Sequence, residues 1–148
     1  MTWVRGLAAV SLAALAAGCA GRAEDRAPLV AAPAACRAHV FEVYFREGEA
    51  RLTDPAAEAV RLHADMVSAC AVRAVQVVGL ASATGSSSAN LSLSERRAAE
   101  VARALAASGF PAPEFQLYAA GDQGAVTPTG AAEPLRRRVE VRIDAAPR

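Results

Sequence analysis

Few residue combinations in this 148-residue chain could make or break a covalent bond. Ser82, His63 and Asp122 offer a nucleophile, a base and an acid on paper, but Ser82 lacks the G-x-S-x-G elbow that would expose a serine for acyl transfer. His39 and His63 are the only histidines, and neither has a second ligand at metal spacing, so the sequence predicts no metal, no cofactor and no enzyme. Binding chemistry is better represented. All sixteen basic residues are arginine, and three of them run together as Arg136-Arg137-Arg138. In a chain of formal net charge +1, without interleaved aromatics, that run makes a poor footprint for nucleic acid. Acidic side chains gather at Glu47 and Glu49, and the thiols are Cys19, Cys36 and Cys70.

These residues must be held by one domain's worth of structure, since 53% hydrophobic and 21% charged residues describe a globular chain. Phe41, Val43 and Phe45 alternate with Glu42 and Tyr44, predicting a strand with one apolar face. Thr53 or Asp54 before Pro55 starts a helix that carries Val60, His63 or Ala64, and Val67 toward Cys70. The β-branched run Val72–Val78 reads as a buried strand ending at Gly79. Leu93, Ala98, Val101, Ala102 and Leu105 fall on one stripe of a helix over 93–108, with Gly109 placed as its C-terminal cap. A short strand over 115–118, a long loop over 121–134 and an alternating strand over 138–143 complete the order β-α-β-α-β-β. This predicts an α+β, two-layer domain, with both helices on one face of a mixed sheet and loops at the strand ends free to carry function.

The first residues read differently. Arg5, an apolar run from Leu7 to Ala17 and small residues after it have the layout of a secretory signal, too short to span a bilayer comfortably. Leu15-Ala16-Ala17-Gly18-Cys19 resembles the lipobox of bacterial lipoproteins, which implies cleavage before Cys19 and lipidation of its thiol. Residue 20 is Ala rather than the Asp that retains such proteins at the inner membrane, so outer-membrane sorting is implied. The alternative is an ordinary signal that leaves Cys19 as an incidental thiol. The expected boundaries are a signal at 1–18, a lipidated cysteine and Ala/Pro/Arg-rich tether at 19–37, and the domain at 38–148. A flexible tether of that length spans about 25 Å on average and about 60 Å extended. In an oxidising compartment Cys36 and Cys70 are expected to pair, since a β-α-β unit brings both to one end of the sheet. Two buried thiols are the alternative.

Asn90-Leu91-Ser92-Leu93-Ser94-Glu95-Arg96-Arg97-Ala98-Ala99-Glu100-Val101 is similar, at every fixed position, to the signature N-x-x-L-S-x-x-R-A-x-x-V of OmpA-like domains. Gly79 and Gly85 precede it at the family's spacing, and Arg136-Arg137-Arg138-Val139-Glu140 resembles the closing N-R-R-V-E. The likeness spans about residues 40–143. It implies the OmpA-C-like two-layer fold and a non-catalytic pocket for the diaminopimelate side chain of a peptidoglycan stem peptide. Such a side chain is a zwitterion, and an arginine's planar fork suits its carboxylate. Carried over by position, the implied ligand-binding residues are Arg97, Asn90 and Arg137; the bland alternative for the arginines is a solvated surface.

Two departures bear on affinity. The family's G-H-T-D-x-x-G reads Gly79-Leu80-Ala81-Ser82-Ala83-Thr84-Gly85, so Ser82 stands where an Asp would meet the ligand's ammonium. The first loop, Phe45-Arg46-Glu47-Gly48-Glu49-Ala50-Arg51-Leu52, lacks two expected polar contacts but brings Glu47 and Glu49. Either glutamate could supply the charge missing at Ser82, or both could simply keep the loop soluble. The resulting expectation is a lipid-anchored periplasmic domain that ties the outer membrane to peptidoglycan. A scaffold of the same fold with weak or no wall binding, contacting other envelope proteins, is the alternative.

Overall fold

Each helix starts where a hydroxyl can serve an orphaned backbone donor. In the computed structural model, which describes residues 36–110 and 115–148, Thr53 Oγ1 accepts from the Ala56 amide ahead of α1 (Asp54–Val67). Ser86 Oγ accepts from the Ala89 amide ahead of α2 (Ser87–Ala107). That cap starts α2 six residues before the expected boundary at 93. The reason is local: Ser87, Ser88, Ala89, Leu91 and Ser92 face solvent, so no apolar periodicity announces the first turns. At its other end Gly109 takes φ +70°, as a helix stop requires.

The strands are β1 (His39–Tyr44), β2 (Ala71–Gly79), β3 (Phe115–Ala119) and β4 (Arg138–Ala146), with a single 3-10 turn at Pro134–Arg136. They form one mixed sheet in the order β1-β4-β2-β3. β4 runs antiparallel to both β1 and β2, while β2 and β3 are parallel. Period-2 alternation sends Phe41, Val43, Val75, Val77, Val139, Val141 and Ile143 to the inner face. There they join Val60, Ala64 and Val67 of α1 and Ala98, Val101 and Leu105 of α2 in one buried cluster. This is the expected α+β architecture with β-α-β-α-β-β order. On the outer face Arg138 bridges Glu42 (3.1 Å) and Glu140 (2.8 Å), which offsets the repulsion of two glutamates set directly opposite each other.

Cys36 and Cys70 form a disulfide, Cα–Cα 5.3 Å, at the end of the sheet where β1 and β2 begin. Beside it His63 stacks on Phe41, ring centroids 3.8 Å apart, with His39 stacked on His63 at 5.8 Å. The expected signal, lipobox and most of the expected tether fall outside the described residues. Among the described residues no helix is long and apolar enough to cross a membrane.

Candidate ligand-binding site

The opposite end of the sheet is where the chemistry collects. Val43, Val139 and Gly79 pair side by side in the last regular row. Just beyond it the Phe45 amide donates to the Arg137 carbonyl (2.9 Å) and the Leu80 amide to the Arg138 carbonyl (3.0 Å). α2 crosses this row at Gly79, where a Cβ would lie 1.9 Å from the Ser94 carbonyl oxygen. Only glycine permits that approach. It lowers Arg97, one turn further along α2, onto the ends of β1 and β2.

Arg97 is fully buried. Its Nε donates to the Glu49 carbonyl (2.9 Å), Nη1 to the Leu80 carbonyl (2.9 Å) and Nη2 to the Arg46 carbonyl (3.1 Å). The guanidinium also lies over the Phe45 ring, 5.2 Å from its centroid, in cation–π geometry. A guanidinium carries five N–H groups, so these three bonds leave one on Nη1 and one on Nη2. No ion pair to Arg97 occurs among the described residues. Burial, with the charges of Arg137 and Arg96 adding to it, brings its pKa down to about 10, so the group stays cationic at neutral pH. The resemblance implies an arginine that lines a ligand pocket, with a solvated surface as the alternative. In the structure it is enclosed, because three backbone carbonyls converge on it.

Arg137 is half-buried; its Nε is buried and meets no partner among the described residues. Ser82 lies two residues past Leu80, half-buried and without a charge to offer. Glu47 is exposed. Glu49 reaches Arg97 through its backbone carbonyl and also lines a polar hollow of about 340 Å3 with Arg46, Arg51, Thr53 and Asp54. Thus Arg97, the first loop and the Leu80–Ser82 segment meet in one place.

Asn90 lies two turns earlier on the same buried stripe of α2, 3% exposed, and Nδ2 donates to Asp122 Oδ2 (3.2 Å). Ser87 Oγ donates to the same oxygen (2.9 Å). These hydrogen bonds, that from Asn90 first, hold the Asp122 carboxyl below the usual carboxylate range. Ser94, between Asn90 and Arg97, accepts from the Gly121 amide (3.0 Å) and donates to the Leu91 carbonyl (2.7 Å). The Ala81 amide closes the arrangement on the Gly121 carbonyl (2.7 Å). So α2 pins the loop after β3 with Asn90 and Ser94, and the loop after β1 with Arg97. In the sequence Ser94 stands out only as a signature residue, and nothing local marks Asp122 as the partner of Asn90, because the two lie 32 positions apart.

A hydrolytic triad is not assembled: His63 is engaged with Phe41 near the start of β1, whereas Ser82 and Asp122 follow the ends of β2 and β3. Among the described residues no three His, Cys, Asp or Glu side chains gather to hold a metal ion.

The same fold occurs in solved structures. The peptidoglycan-associated lipoprotein of Burkholderia pseudomallei is 23% identical over 70% of this chain and 89% of that one, with a TM-score of 0.60. The OmpA-like domain of FopA1 from Francisella tularensis is 21% identical over 74% and 73%, TM-score 0.61. The cell wall anchor of the T6SS from Pseudomonas aeruginosa is 24% identical over 73% and 82%, TM-score 0.57. No curated protein sequence matches the chain. The sequence profile of the OmpA family matches residues 44–138, a span that contains Arg97, Asn90, Ser94 and the three strand ends that surround them. With that match over more than half of its length, the chain belongs to the OmpA family.

Proposed function

We propose that this domain binds peptidoglycan without catalysing a reaction, and that it holds the outer membrane to the cell wall through a lipid on Cys19. One observation carries the reading: a buried guanidinium without a carboxylate partner, with one N–H left on each Nη and a second, under-satisfied arginine at 137. A buried charge is costly unless it is paired. A ligand carboxylate is the partner that matches the two spare donors, and because Arg97 has no exposed surface it enters by displacing part of the first loop that covers the group. Family membership supports the wall as the source of that carboxylate, as do two structural neighbours, one a peptidoglycan-associated lipoprotein and the other a cell wall anchor.

Within this reading the carboxylate belongs to the diaminopimelate of a stem peptide, Arg97 and Arg137 receive it, and Asn90 shapes the rim. Ser82 stands where the ligand's ammonium arrives, and Glu47 or Glu49 supplies the charge it lacks. Loss of one charged hydrogen bond costs about 1.5–3 kcal/mol, roughly tenfold to a hundredfold in affinity if nothing offsets it. Purified sacculi should therefore retain the protein, and free diaminopimelate should release it. The Glu47→Gln/Glu49→Gln protein should be retained several-fold less; equal retention would remove the glutamates from the site.

A second reading rests on the enclosure of Arg97. With three carbonyls satisfied and no solvent access, the arginine can serve as an internal clamp, and the domain as a scaffold that contacts other envelope proteins. Sacculi that retain nothing, together with an unchanged fold, would decide for the scaffold.

A further inference from the structure

On the flank of α2 next to the enclosed guanidinium, a second set of arginines points outward. Arg96 and Arg103 are seven residues apart, about two turns or ~10 Å along the axis. Arg51, from the connection between β1 and α1, faces them across Ala50 and Ala99, and with Glu100 these residues line a concavity of about 470 Å3. The two alanines leave the floor open, and the charges stand around it. Glu100 is ion-paired with Arg103. Arg51 and Arg96 are exposed and make no side-chain hydrogen bond or ion pair with any described residue. The groove therefore holds three positive groups against one negative, in a chain whose whole net charge is +1.

Arg51 also lines the neighbouring hollow with Arg46 and Glu49, the two residues whose carbonyls hold Arg97. Arg51 therefore stands between the two: the hollow beside the loop is charge-balanced, with Arg46 and Arg51 against Glu49 and Asp54, and the positive excess lies on the α2 side.

We propose that the Arg51–Arg96–Arg103 groove is a second carboxylate subsite, which receives another free carboxylate of the same stem peptide. The inference rests on the wall-binding reading and adds to it a chemical preference. In a γ-linked glutamate the α-carboxylate is free, and this group lies next to the diaminopimelate. The groove selects the stem peptide in which that carboxylate is an acid over the one in which it is an amide, because guanidinium forks pair with a carboxylate and are repelled by an amide's N–H dipoles.

Calorimetric titration of the full-length protein in detergent tests this with three ligands: free diaminopimelate, L-Ala-γ-D-Glu-diaminopimelate, and the same tripeptide with its glutamate α-carboxylate amidated. The acid tripeptide is expected to bind roughly tenfold tighter than its amide. In the Arg51→Ala/Arg96→Ala protein, whose substituted side chains are exposed, that ratio should fall to near one, with a thermal melt confirming the fold. Equal affinities for the two tripeptides, with diaminopimelate still bound, would overturn the subsite and leave the wall-binding reading standing. Binding of none of the three would overturn both.

Discussion

Arg97 combines two demands that pull in different directions, because the bonds that tie it to three carbonyls also desolvate its charge. Removing the guanidinium in Arg97→Ala leaves the carbonyls of Arg46, Glu49 and Leu80 without their donor, at about 1–3 kcal/mol for each group that water does not reach. Relief of the buried charge offsets part of this, so a net loss of about 3 kcal/mol is expected in urea denaturation. Arg97→Lys keeps the charge but not the fork; it should lose less stability and still lose sacculus binding. A merely structural arginine would instead couple the two losses. His63 presents a different residue-scale case. Burial first, and the nearby His39 second, lower its pKa, so the folded state resists protonation. Below the unfolded value of about 6.5 the unfolded chain binds the extra proton more readily, and stability falls as pH drops through that value toward the folded pKa. The melting temperature of the parent should therefore decline between about pH 7 and pH 5, and His63→Phe, which keeps the stack on Phe41, should flatten the decline. At this scale the sequence was legible where side chains carry the signal. The signature located Arg97 and Asn90, but the partners of Arg97 are backbone carbonyls, which no residue type reveals.

The elements meet where a glycine lets them. Gly79 ends β2 against the Ser94 carbonyl, and a methyl group there would force α2 away from the sheet. Overpacking of this kind costs about 1–3 kcal/mol, and backbone on both sides leaves little room to yield. Gly79→Ala should lose at least that much in chemical denaturation, and sacculus binding should weaken as well, because the same displacement lifts Arg97 from Leu80. The disulfide is the corresponding device at the other end of the sheet. Opening a loop of 34 residues' separation should remove about 3–4 kcal/mol on the chain-entropy account, which a melt with and without reductant reads directly. Periodicity foretold the type and order of all six major elements, since strands that face one core alternate and helices on it repeat every three or four residues. It placed the ends of α2 and β4 less well. The first turns of α2 lie on solvent, and the last residues of β4, Asp144 to Ala146, alternate too weakly to be read yet pair with Ala71–Ala74.

Across the whole molecule the topology gathers different groups at the two ends of the sheet. β1, β2 and β3 share one direction, so their C-terminal ends and the loops that follow them gather around Arg97, while the disulfide and the His63 stack occupy the end where β1 and β2 begin. Under the anchoring proposal the Arg97 end is the one that binds, and the Cys19 lipid supplies a second attachment elsewhere on the chain. In that proposal two attachments joined by the expected flexible tether, about 25 Å on average, multiply rather than add, because the first confines the second to an effective concentration near the millimolar range. This matters for a site with Ser82 in place of a charge: a modest intrinsic affinity is raised by avidity of up to about 10²- to 10⁴-fold. Cys19→Ser separates the two contributions. In fractionated cells the variant should leave the membrane fraction, and its recovery on sacculi cross-linked in situ should fall at least tenfold. With isolated sacculi and equal protein concentrations, where no membrane confines either form, variant and parent should bind alike. If the variant stays with the membranes, the lipid is not what holds the protein there; if isolated sacculi also lose it, position 19 acts on the site itself and not through the tether.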